Sequence, residues 1–307
     1  MTVDVVCVAS WNVDLIAHIS TPLERGQTQM AQAFERLPGG KGSNAAIAAA
    51  RQGAQVGLIA RVGGDDFGQM GLDLWAREGI ARQHVVRGEG ETNGTALILV
   101  YDDGDNSIAV YPGAGAGLTT AHVQAACDML AQASVVMASC EVPLAATQAA
   151  FEIARAHGVL TLLNPAPAML LPDALWPLVD VLTPNEGELQ MLAGAADMTT
   201  AAERLLQRGV GAIVVTLGER GCALFRHHEA PLLVPGHAMQ VADTIGAGDT
   251  FTGALAAALA RQTPWPQALQ VANAAAALST QAHGAVTAMP TAHQVQTFLQ
   301  KIAPKTA

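Results

Sequence analysis

The segment NAAIAAARQGAQVGLIARVG, residues 44–63, joins a helix-forming half to a strand-forming half. The first half is rich in alanine, which has the highest helix propensity, and it ends at Gly53, as helix C-termini often do. The second half is a short apolar run, which is typical of a strand buried on both faces. The segment therefore predicts a helix that packs closely against a mainly parallel sheet.

The same alternation continues over most of the 307 residues. Apolar runs such as VDVVCVA (3–9), SVVMAS (134–139) and AIVVTLG (212–218) alternate with helical runs such as FGQMGLDLWAREGI (67–80). This order favours a parallel sheet with helices on both faces. We expect an α/β protein with one domain over residues 1–307.

Two segments interrupt the alternation, at about residues 13–36 and 94–113. The second contains two alternating runs joined by DDGDN (102–106), a turn-forming sequence that is typical of a β-hairpin. We interpret the two segments as a small β-sheet that projects from the main domain. Such a sheet would form a lid over the carboxyl edge of the main sheet, where open α/β folds bind ligands.

Composition narrows the possible functions. Half of the residues are hydrophobic, 14% are charged, and the formal net charge is −10, without any basic cluster. This charge argues against binding to nucleic acid. No apolar run is long enough to cross a bilayer, the N-terminus resembles a strand rather than a signal peptide, and the four cysteines lack metal-binding spacing. We expect a cytoplasmic protein with reduced thiols that binds neither nucleic acid nor membranes.

The segment DTIGAGDTFTGAL (243–255) carries the strongest chemical signal. Gly246 and Gly248 leave backbone N–H groups bare just before an apolar helix, and such groups suit an anion such as a phosphate. Asp249 follows at the start of this helix, where a carboxylate caps N–H groups. The same carboxylate could take a proton from an attacking hydroxyl, as phosphoryl transfer requires. We expect Asp249 to have both roles.

A second glycine-rich turn, GGKGSN (39–44), also precedes an alanine-rich helix. Its bare backbone, with the donors of Lys41 and Asn44, could hold a hydroxylated ligand. A flexible loop with Ser43 as the helix cap is an equal alternative. In WNVDLI (11–16), at the end of the first strand, Asn12 and Asp14 alternate and face one side, where a carboxylate could accept from a sugar diol. A turn into the lid explains that pair nearly as well.

Three further sites follow predicted strands. In TPNEGEL (183–189), Asn185 and Glu188 share one face at a helix start and could hold the water shell of Mg²⁺. Ordinary capping by Asn185 is the more common explanation. Thr216 and Gly218 end a strand at a place where a nucleotide phosphate could meet a hydroxyl and bare backbone, and Glu141 could contact a substrate.

Taken together, GGKGSN and the downstream DTIGAGDTFTGAL resemble the two signatures of the ribokinase family, the phosphofructokinase-B type of sugar kinases. The similarity covers nearly the whole chain, including NPAPAMLLPDALWPLVDVLTPNEGE (164–188). The resemblance implies a three-layer α/β/α sandwich with a β-lid, which in this family is also a dimer interface. A homodimer formed through the lid is therefore expected.

The resemblance also implies roles for particular residues. Asp249 would be the general base, with Gly246, Ala247 and Gly248 as the anion hole. The sugar would be held by Asn12, Asp14, Gly40, Lys41, Asn44, Glu141 and Asp249. ATP would contact Asn185, Thr216, Gly218, Gly221, Gly248 and Asn273, and Glu188 would bind Mg²⁺ through water. An activating monovalent cation, K⁺, would lie at Asp243, Ile245, Ser279, Ala282, Gly284 and Ala288.

The activity that this resemblance implies is transfer of the γ-phosphoryl group of ATP to the 5-hydroxyl of D-ribose. A kinase for another furanose, such as deoxyribose, or for a nucleoside is the alternative within the class. Departures from the family pattern at Thr95, and at either Gly115 or Gly117, lie near the lid and bear on which pentose is used. A sugar or nucleotide sensor without catalysis is the alternative outside it, and the intact Asp249 argues against that.

Overall fold

The computed structural model describes residues 3–302, and within them a nine-stranded sheet forms the middle layer. From one edge to the other its strands are β13 (Leu232–Pro235), β12 (Gly221–Arg226), β11 (Ala212–Thr216), β10 (Val181–Leu182), β9 (Leu160–Asn164), β8 (Val135–Ser139), β1 (Val5–Ala9), β4 (Val56–Gly63) and β5 (Ala81–Gly88). The pairs that β12 makes with β11 and β13 are antiparallel. The other pairs are parallel, as predicted.

Helices cover both faces of this sheet. Along β1, Val5 and Cys7 belong to one hydrophobic cluster and Val6 and Val8 to the other, because successive side chains of a strand point to opposite faces. The predicted three-layer sandwich is therefore confirmed. The helices are α1 (Lys41–Arg51), α2 (Asp66–Arg77), α3 (Thr120–Gln124), α4 (Cys127–Gln132), α5 (Leu144–Ala156), α6 (Glu186–Ala193), α7 (Met198–Gln207), α8 (Ala247–Ala260), α9 (Trp265–Ser279), α10 (Ala285–Ala288) and α11 (Ala292–Ile302).

Small residues let α1 and α8 pack closely on one face. A Cβ atom at Gly253 would lie 2.1 Å from the carbonyl oxygen of Ala45 and 2.7 Å from the Cβ of Ala48. The two helices can approach this closely only because Gly253 has no side chain. The contact also places the N-terminal turns of the two helices side by side, and those turns carry Asn44 and Asp249.

A second sheet has four strands and stands at the carboxyl end of β1. Its spatial order is β3 (Ala33–Gly39), β2 (Asn12–His18), β6 (Gly94–Val100) and β7 (Asn106–Tyr111). The strands come from the two segments proposed as a lid, although β2 starts at Asn12 and β3 continues to Gly39, beyond the predicted bounds. The sheet therefore joins the body just after β1 and just before α1.

The placement of WNVDLI at the end of the first strand is wrong. β1 ends at Ala9, and Asn12 begins a strand of the second sheet. Trp11 lies between the two sheets, where it is buried and packs edge-on against Trp75 with ring centroids 5.6 Å apart. The predicted single domain, residues 1–307, includes residues 1, 2 and 303–307, which lie outside the described residues. Between residues 3 and 302, none of the helices has the length and apolar character that a membrane span requires.

Candidate active site

The glycine turn before α8 differs from the prediction in where the helix begins. The helix starts at Ala247, and Gly246 is its N-cap residue, in the left-handed region at φ 75°. A Cβ at Gly246 would lie 2.6 Å from the Cβ of Ala285. Asp249 is thus the third residue of the helix, and no side chain in the described part of the chain caps this end. The predicted capping role of Asp249 is wrong, because the glycine supplies the turn by its backbone conformation.

The first turn of α8 nevertheless offers free donors. The N–H of Ala247 donates to the carbonyl oxygen of Thr244, at 3.2 Å. Among the described residues, the N–H groups of Gly246 and Gly248 have no acceptor, and the space beside Gly248 is open. Two of the three predicted anion-hole residues therefore keep their N–H groups available at the positive end of a helix dipole.

The carboxylate of Asp249 is buried and pairs with α1. Asn44 Nδ2 donates to Asp249 Oδ2 at 2.9 Å, while the other amide atom, Asn44 Oδ1, is buried and has no partner among residues 3–302. Burial raises the pKa of Asp249 to about 6, and the charge of Lys41 together with the bond from Asn44 opposes the rise. A carboxylate with a raised pKa is a better proton acceptor, which suits a general base.

Lys41 and Asn44 lie in the first turn of α1, at the same end as Asp249. Ser43 is not the cap that the alternative interpretation proposed, because Gly40 is the N-cap residue and Ser43 Oγ accepts from Trp75 Nε1 at 2.8 Å. Burial would lower the pKa of Lys41. The surrounding carboxylates, with Asp249 the largest influence among them, outweigh burial and raise it, so Lys41 remains a cation in this site.

Glu141 lies just after β8 and closes the site from the other side of β1. Its Oε2 accepts from Ser10 Oγ and from the backbone N–H of Lys41, both at 2.7 Å. Ser10 Oγ in turn accepts from the backbone N–H of Gly42 at 3.1 Å. The structure thus brings Glu141 and the GGKGSN turn together through Ser10, a residue that the sequence did not single out.

Asn12 and Asp14 face the same site from β2. Both are half-buried, and Val13 between them is fully buried on the opposite side. Glycines on the neighbouring strands make room for them, since a Cβ at Gly39 would lie 2.4 Å from Asp14 Oδ1 and one at Gly94 would lie 2.2 Å from Asn12 Oδ1. Burial, and then the charge of Glu141, raises the pKa of Asp14 to about 6.

The start of α6 has the geometry that simple capping predicts. Asn185 Oδ1 accepts from the N–H of Glu188, and Glu188 Oε2 accepts from the N–H of Asn185, both at 2.8 Å. This capping box uses one oxygen of each side chain. Glu188 also contributes to the raised pKa values of Asp249 and Lys41, so its charge is felt across the site.

The remaining residues predicted to contact nucleotide lie along the ends of β10 to β13. Thr216 pairs with Asn185 in a parallel bridge, and Gly218, at φ 59°, faces open space. Gly221 has another reason to be glycine, because a Cβ there would lie 2.0 Å from the carbonyl oxygen of Val234. Asn273 is buried in α9 and its Nδ2 donates to the carbonyl oxygen of Pro235 at 2.7 Å.

The predicted cation-binding segments meet at Asp243. Its Oδ1 accepts from the N–H of Ile245 and its Oδ2 from the N–H of Gly284, both at 2.9 Å. Two backbone bonds to the carbonyl oxygen of Thr280 tie the same segments together. The buried Ser279 donates to Ala276, Ala282 is exposed, and Ala288 closes α10 on Gly284.

A buried acid at a helix N-terminus, beside amide and carboxylate side chains that can accept from hydroxyl groups, is typical of enzymes that transfer a phosphoryl group to an alcohol. The chain matches the pfkB family carbohydrate kinase over residues 3–292 and belongs to that family. It is an ATP-dependent carbohydrate kinase. The resemblance seen in the two glycine-rich signatures is thereby confirmed.

Individual relatives agree with this assignment. The chain is 34% identical to a ribokinase of Haemophilus influenzae, over 95% of this chain and 96% of the relative. It is 32% identical to a deoxyribokinase of Salmonella typhi, over 96% of this chain and 98% of the relative. The solved structure of Arabidopsis thaliana ribokinase, complexed with ribose and ATP, superimposes with a TM-score of 0.92 at 29% identity, covering 98% of this chain and 99% of that one.

The structure also shows what the sequence analysis missed. Ser10 and Gly94 border the predicted sugar site but were not among the candidates. Ser10 begins an alternating series with Asn12 and Asp14, and that period of two was a signal available in the sequence. Gly94 had no local signal, because it matters only as the cross-strand neighbour of Asn12.

Proposed function

We propose that the protein transfers the γ-phosphoryl group of ATP to the 5-hydroxyl of D-ribose. The observation that carries this proposal is the buried pair of Asp249 and Asn44, in which a carboxylate with a raised pKa lies beside an amide oxygen without a partner. The ribokinase relatives, and the one whose structure contains ribose and ATP, support ribose as the acceptor.

The sugar would be bound by groups that converge from three parts of the chain. Asp14 and Glu141 supply carboxylate oxygens that accept from neighbouring hydroxyls. Asn12 and Asn44 add amide groups, and the unpartnered Oδ1 of Asn44 would gain a donor when a hydroxyl arrives. The backbone at Gly40 and the charge of Lys41 complete the proposed set.

The proton of the 5-hydroxyl would pass to Asp249 while the oxygen of that hydroxyl attacks the γ-phosphorus. The oxygen–phosphorus bond forms while the bond from the γ-phosphorus to the bridging oxygen of ADP breaks, and ADP leaves with that electron pair. The N–H groups of the turn Gly246, Ala247 and Gly248 would bind the oxygens of the transferring group, with Ala247 exchanging its bond to Thr244 for the ligand. The cation of Lys41 would favour the same negative charge.

ATP would lie along the carboxyl ends of β10 and β11, at Asn185, Thr216, Gly218 and Gly221, with Asn273 and Gly248 at its two ends. Mg²⁺ fits this site because its four carboxylates outnumber its one cation, Lys41. Each of these carboxylates raises the pKa of Lys41, and they belong to Asp14, Glu141, Glu188 and Asp249. Glu188 retains Oε1 outside its capping box and would hold Mg²⁺ through water. The ion would neutralise charge on the phosphates.

A monovalent cation, K⁺, fits the segments at Asp243. Both carboxylate oxygens of Asp243 accept from backbone N–H groups, and the side chain forms no ion pair with the described residues. Its charge is therefore free to favour a cation held by backbone oxygens. Replacing K⁺ by a bulky organic cation should lower the rate severalfold, and an unchanged rate would remove this site. The oxygens would come from Asp243, Ile245, Ser279, Ala282, Gly284 and Ala288.

A homodimer through the lid is supported by the exposed apolar side chains of that sheet. Phe34 on β3 and Leu97 on β6 are 66% and 56% exposed on one face, and Ile108 and Val110 on the edge strand β7 are 57% and 61% exposed on the other. Exposed apolar side chains grouped in this way are typical of an interface. Sedimentation of the protein should give a dimer, and Leu97→Ser with Ile108→Ser should shift it to monomer. A monomeric wild-type protein would contradict the proposal.

Free cysteines support the cytoplasm as the compartment. Cys7, Cys140 and Cys222 are buried and Cys127 is exposed, and none forms a disulfide. Proteins of a reducing compartment keep their thiols in this state.

A coupled assay of ADP release with ribose, deoxyribose and several nucleosides tests the substrate. We expect ribose to give the highest kcat/KM. The deoxyribokinase relative makes deoxyribose the second candidate. Preference for deoxyribose or a nucleoside would keep the kinase and change its acceptor. No ADP release with any acceptor would overturn the proposed activity.

A further inference from the structure

We infer that Ser10 is a positioning residue that sets the sugar-binding geometry of Glu141. The inference rests on the proposed function of the same site. Ser10 Oγ donates to Glu141 Oε2 at 2.7 Å and accepts from the N–H of Gly42 at 3.1 Å. One hydroxyl therefore joins the end of β1, the first turn of α1 and the segment after β8 that carries Glu141.

The surroundings of Ser10 leave little freedom. The residue is 5% exposed, and its carbonyl oxygen accepts from the N–H of Ser43 at 3.1 Å. A Cβ at Gly42 would lie 2.7 Å from the backbone nitrogen of Ser10, and one at Gly40 would lie 2.8 Å from its carbonyl oxygen. The glycines of the GGKGSN turn are thus required for the turn to pack directly on the Ser10 backbone.

This packing determines what Glu141 has left for a ligand. Its Oε2 already accepts from Ser10 and from the N–H of Lys41, so Oε1 is the oxygen without a bond to the described residues. Two fixed donors hold the carboxylate plane, and a fixed plane aims the remaining oxygen. A hydrogen bond to a charged group contributes more than one between neutral groups, so the loss of the Ser10 hydroxyl should be felt in sugar affinity.

Ser139 provides a matched control. It lies at the end of β8, two residues before Glu141, and is 2% exposed. Its Oγ is buried and has no hydrogen-bond partner among the described residues. Ser139→Ala therefore removes the same atom from an equally buried position two residues from Glu141 in the chain, but breaks no bond between described residues.

The test is a double-mutant cycle on sugar affinity, read by calorimetry with ribose and by the KM values for ribose and ATP. We expect Ser10→Ala to weaken ribose binding about tenfold and to leave the KM for ATP within about twofold. Ser139→Ala should change neither. In a Glu141→Ala background, Ser10→Ala should cost less than about threefold, because the acceptor that it serves is already gone.

Two outcomes would overturn the inference. One is equal loss from Ser10→Ala with and without Glu141. The other is equal loss from Ser10→Ala and Ser139→Ala. Ser10→Cys keeps a weak donor at the same position, so its affinity should fall between those of the alanine variant and the wild type, and it gives a second reading where Ser10→Ala does not fold. A protein that binds another acceptor better than ribose would revise the proposed substrate, and the same cycle measured with that acceptor would still decide the role of Ser10.

Discussion

The two halves of the site are built in different ways. The residues proposed to bind the sugar, here called the sugar half, are Asn12, Asp14, Lys41, Asn44, Glu141 and Asp249. The residues proposed to bind ATP or Mg²⁺, here called the nucleotide half, are Asn185, Glu188, Thr216, Gly218 and Asn273. In the sugar half, bonds join residues 205, 131 and 100 positions apart, and the Asn44–Asp249 bond is buried. In the nucleotide half, the reciprocal bonds of Asn185 and Glu188 span three residues and are exposed.

The two halves therefore differ in how they affect the free energy of folding. Carboxylates brought out of water prefer the neutral form, and the raised pKa values of Asp14 and Asp249 express that cost. A capping box at an exposed helix end stabilises the helix whether or not a ligand is present. Substitutions in the sugar half should therefore have large effects on the reaction rate, and its buried carboxylates should lower the stability of the fold. Substitutions in the nucleotide half should have smaller effects.

The largest effect should follow Asp249→Asn, which removes the base and keeps the shape. We expect the rate of ADP release to fall on the order of 10²–10⁴-fold, because the 5-hydroxyl loses its proton acceptor, while ribose binding stays near normal. The control Asp197→Asn changes an exposed N-cap carboxylate of α7 and should leave the rate unchanged. A mild change at Asp249 would place the chemistry elsewhere.

A smaller effect should appear with pH. Since burial raises the pKa of Asp249 to about 6, its base form is lost as the pH falls through that value. We expect kcat to decrease about tenfold for each unit below pH 6, measured at saturating ribose and ATP. Constant kcat down to pH 5 would contradict the assignment of the base.

Glu188→Gln should affect the nucleotide half alone. Glutamine retains an oxygen for the capping bond but loses the charge near the phosphates, so the KM for MgATP should rise severalfold, about five- to tenfold, with the KM for ribose unchanged. Glu186→Gln is the control, since Glu186 lies in the same turn but pairs with Arg220. A change in ribose KM as large as that for MgATP would erase the distinction between the halves.

The smallest effect should be a gain in stability. The folded protein favours the protonated form of Asp249, so the charged form at neutral pH costs on the order of 2–3 kcal/mol, and Asp249→Asn should raise Tm by about 5 °C at pH 7.5. The difference in Tm between variant and wild type should shrink as the pH falls below about 6, where the wild-type acid becomes neutral. Lower Tm for the variant at neutral pH would show that the carboxylate stabilises the fold.

Local sequence patterns indicate which residues of the nucleotide half lie together more directly than those of the sugar half. Asn185 and Glu188 are three residues apart, so helix geometry alone places them together. The pairing of Asn44 with Asp249 needed the fold, because it depends on how α1 and α8 pack. The sequence also assigned a cap to Asp249 and offered Ser43 as an alternative cap, and neither forms one because Gly40 and Gly246, at φ 92° and 75°, turn the chain without a side-chain cap. Propensity identifies a helix end more readily than the residue that closes it.

The missing side chain at Gly253 has a consequence for how this protein can change over evolution. Gly253 lies one turn beyond Asp249 and contacts no predicted ligand group, yet it sets how near two helices come. A single added methyl group would act as a wedge and move the acid away from its amide neighbour. Exchange of one side chain proposed to contact the sugar would alter which sugar is bound. A side chain at Gly253 would instead displace Asp249 from its position for catalysis, whichever sugar is bound. Substitutions should therefore accumulate more slowly at Gly253 than at several of the residues proposed to contact the sugar.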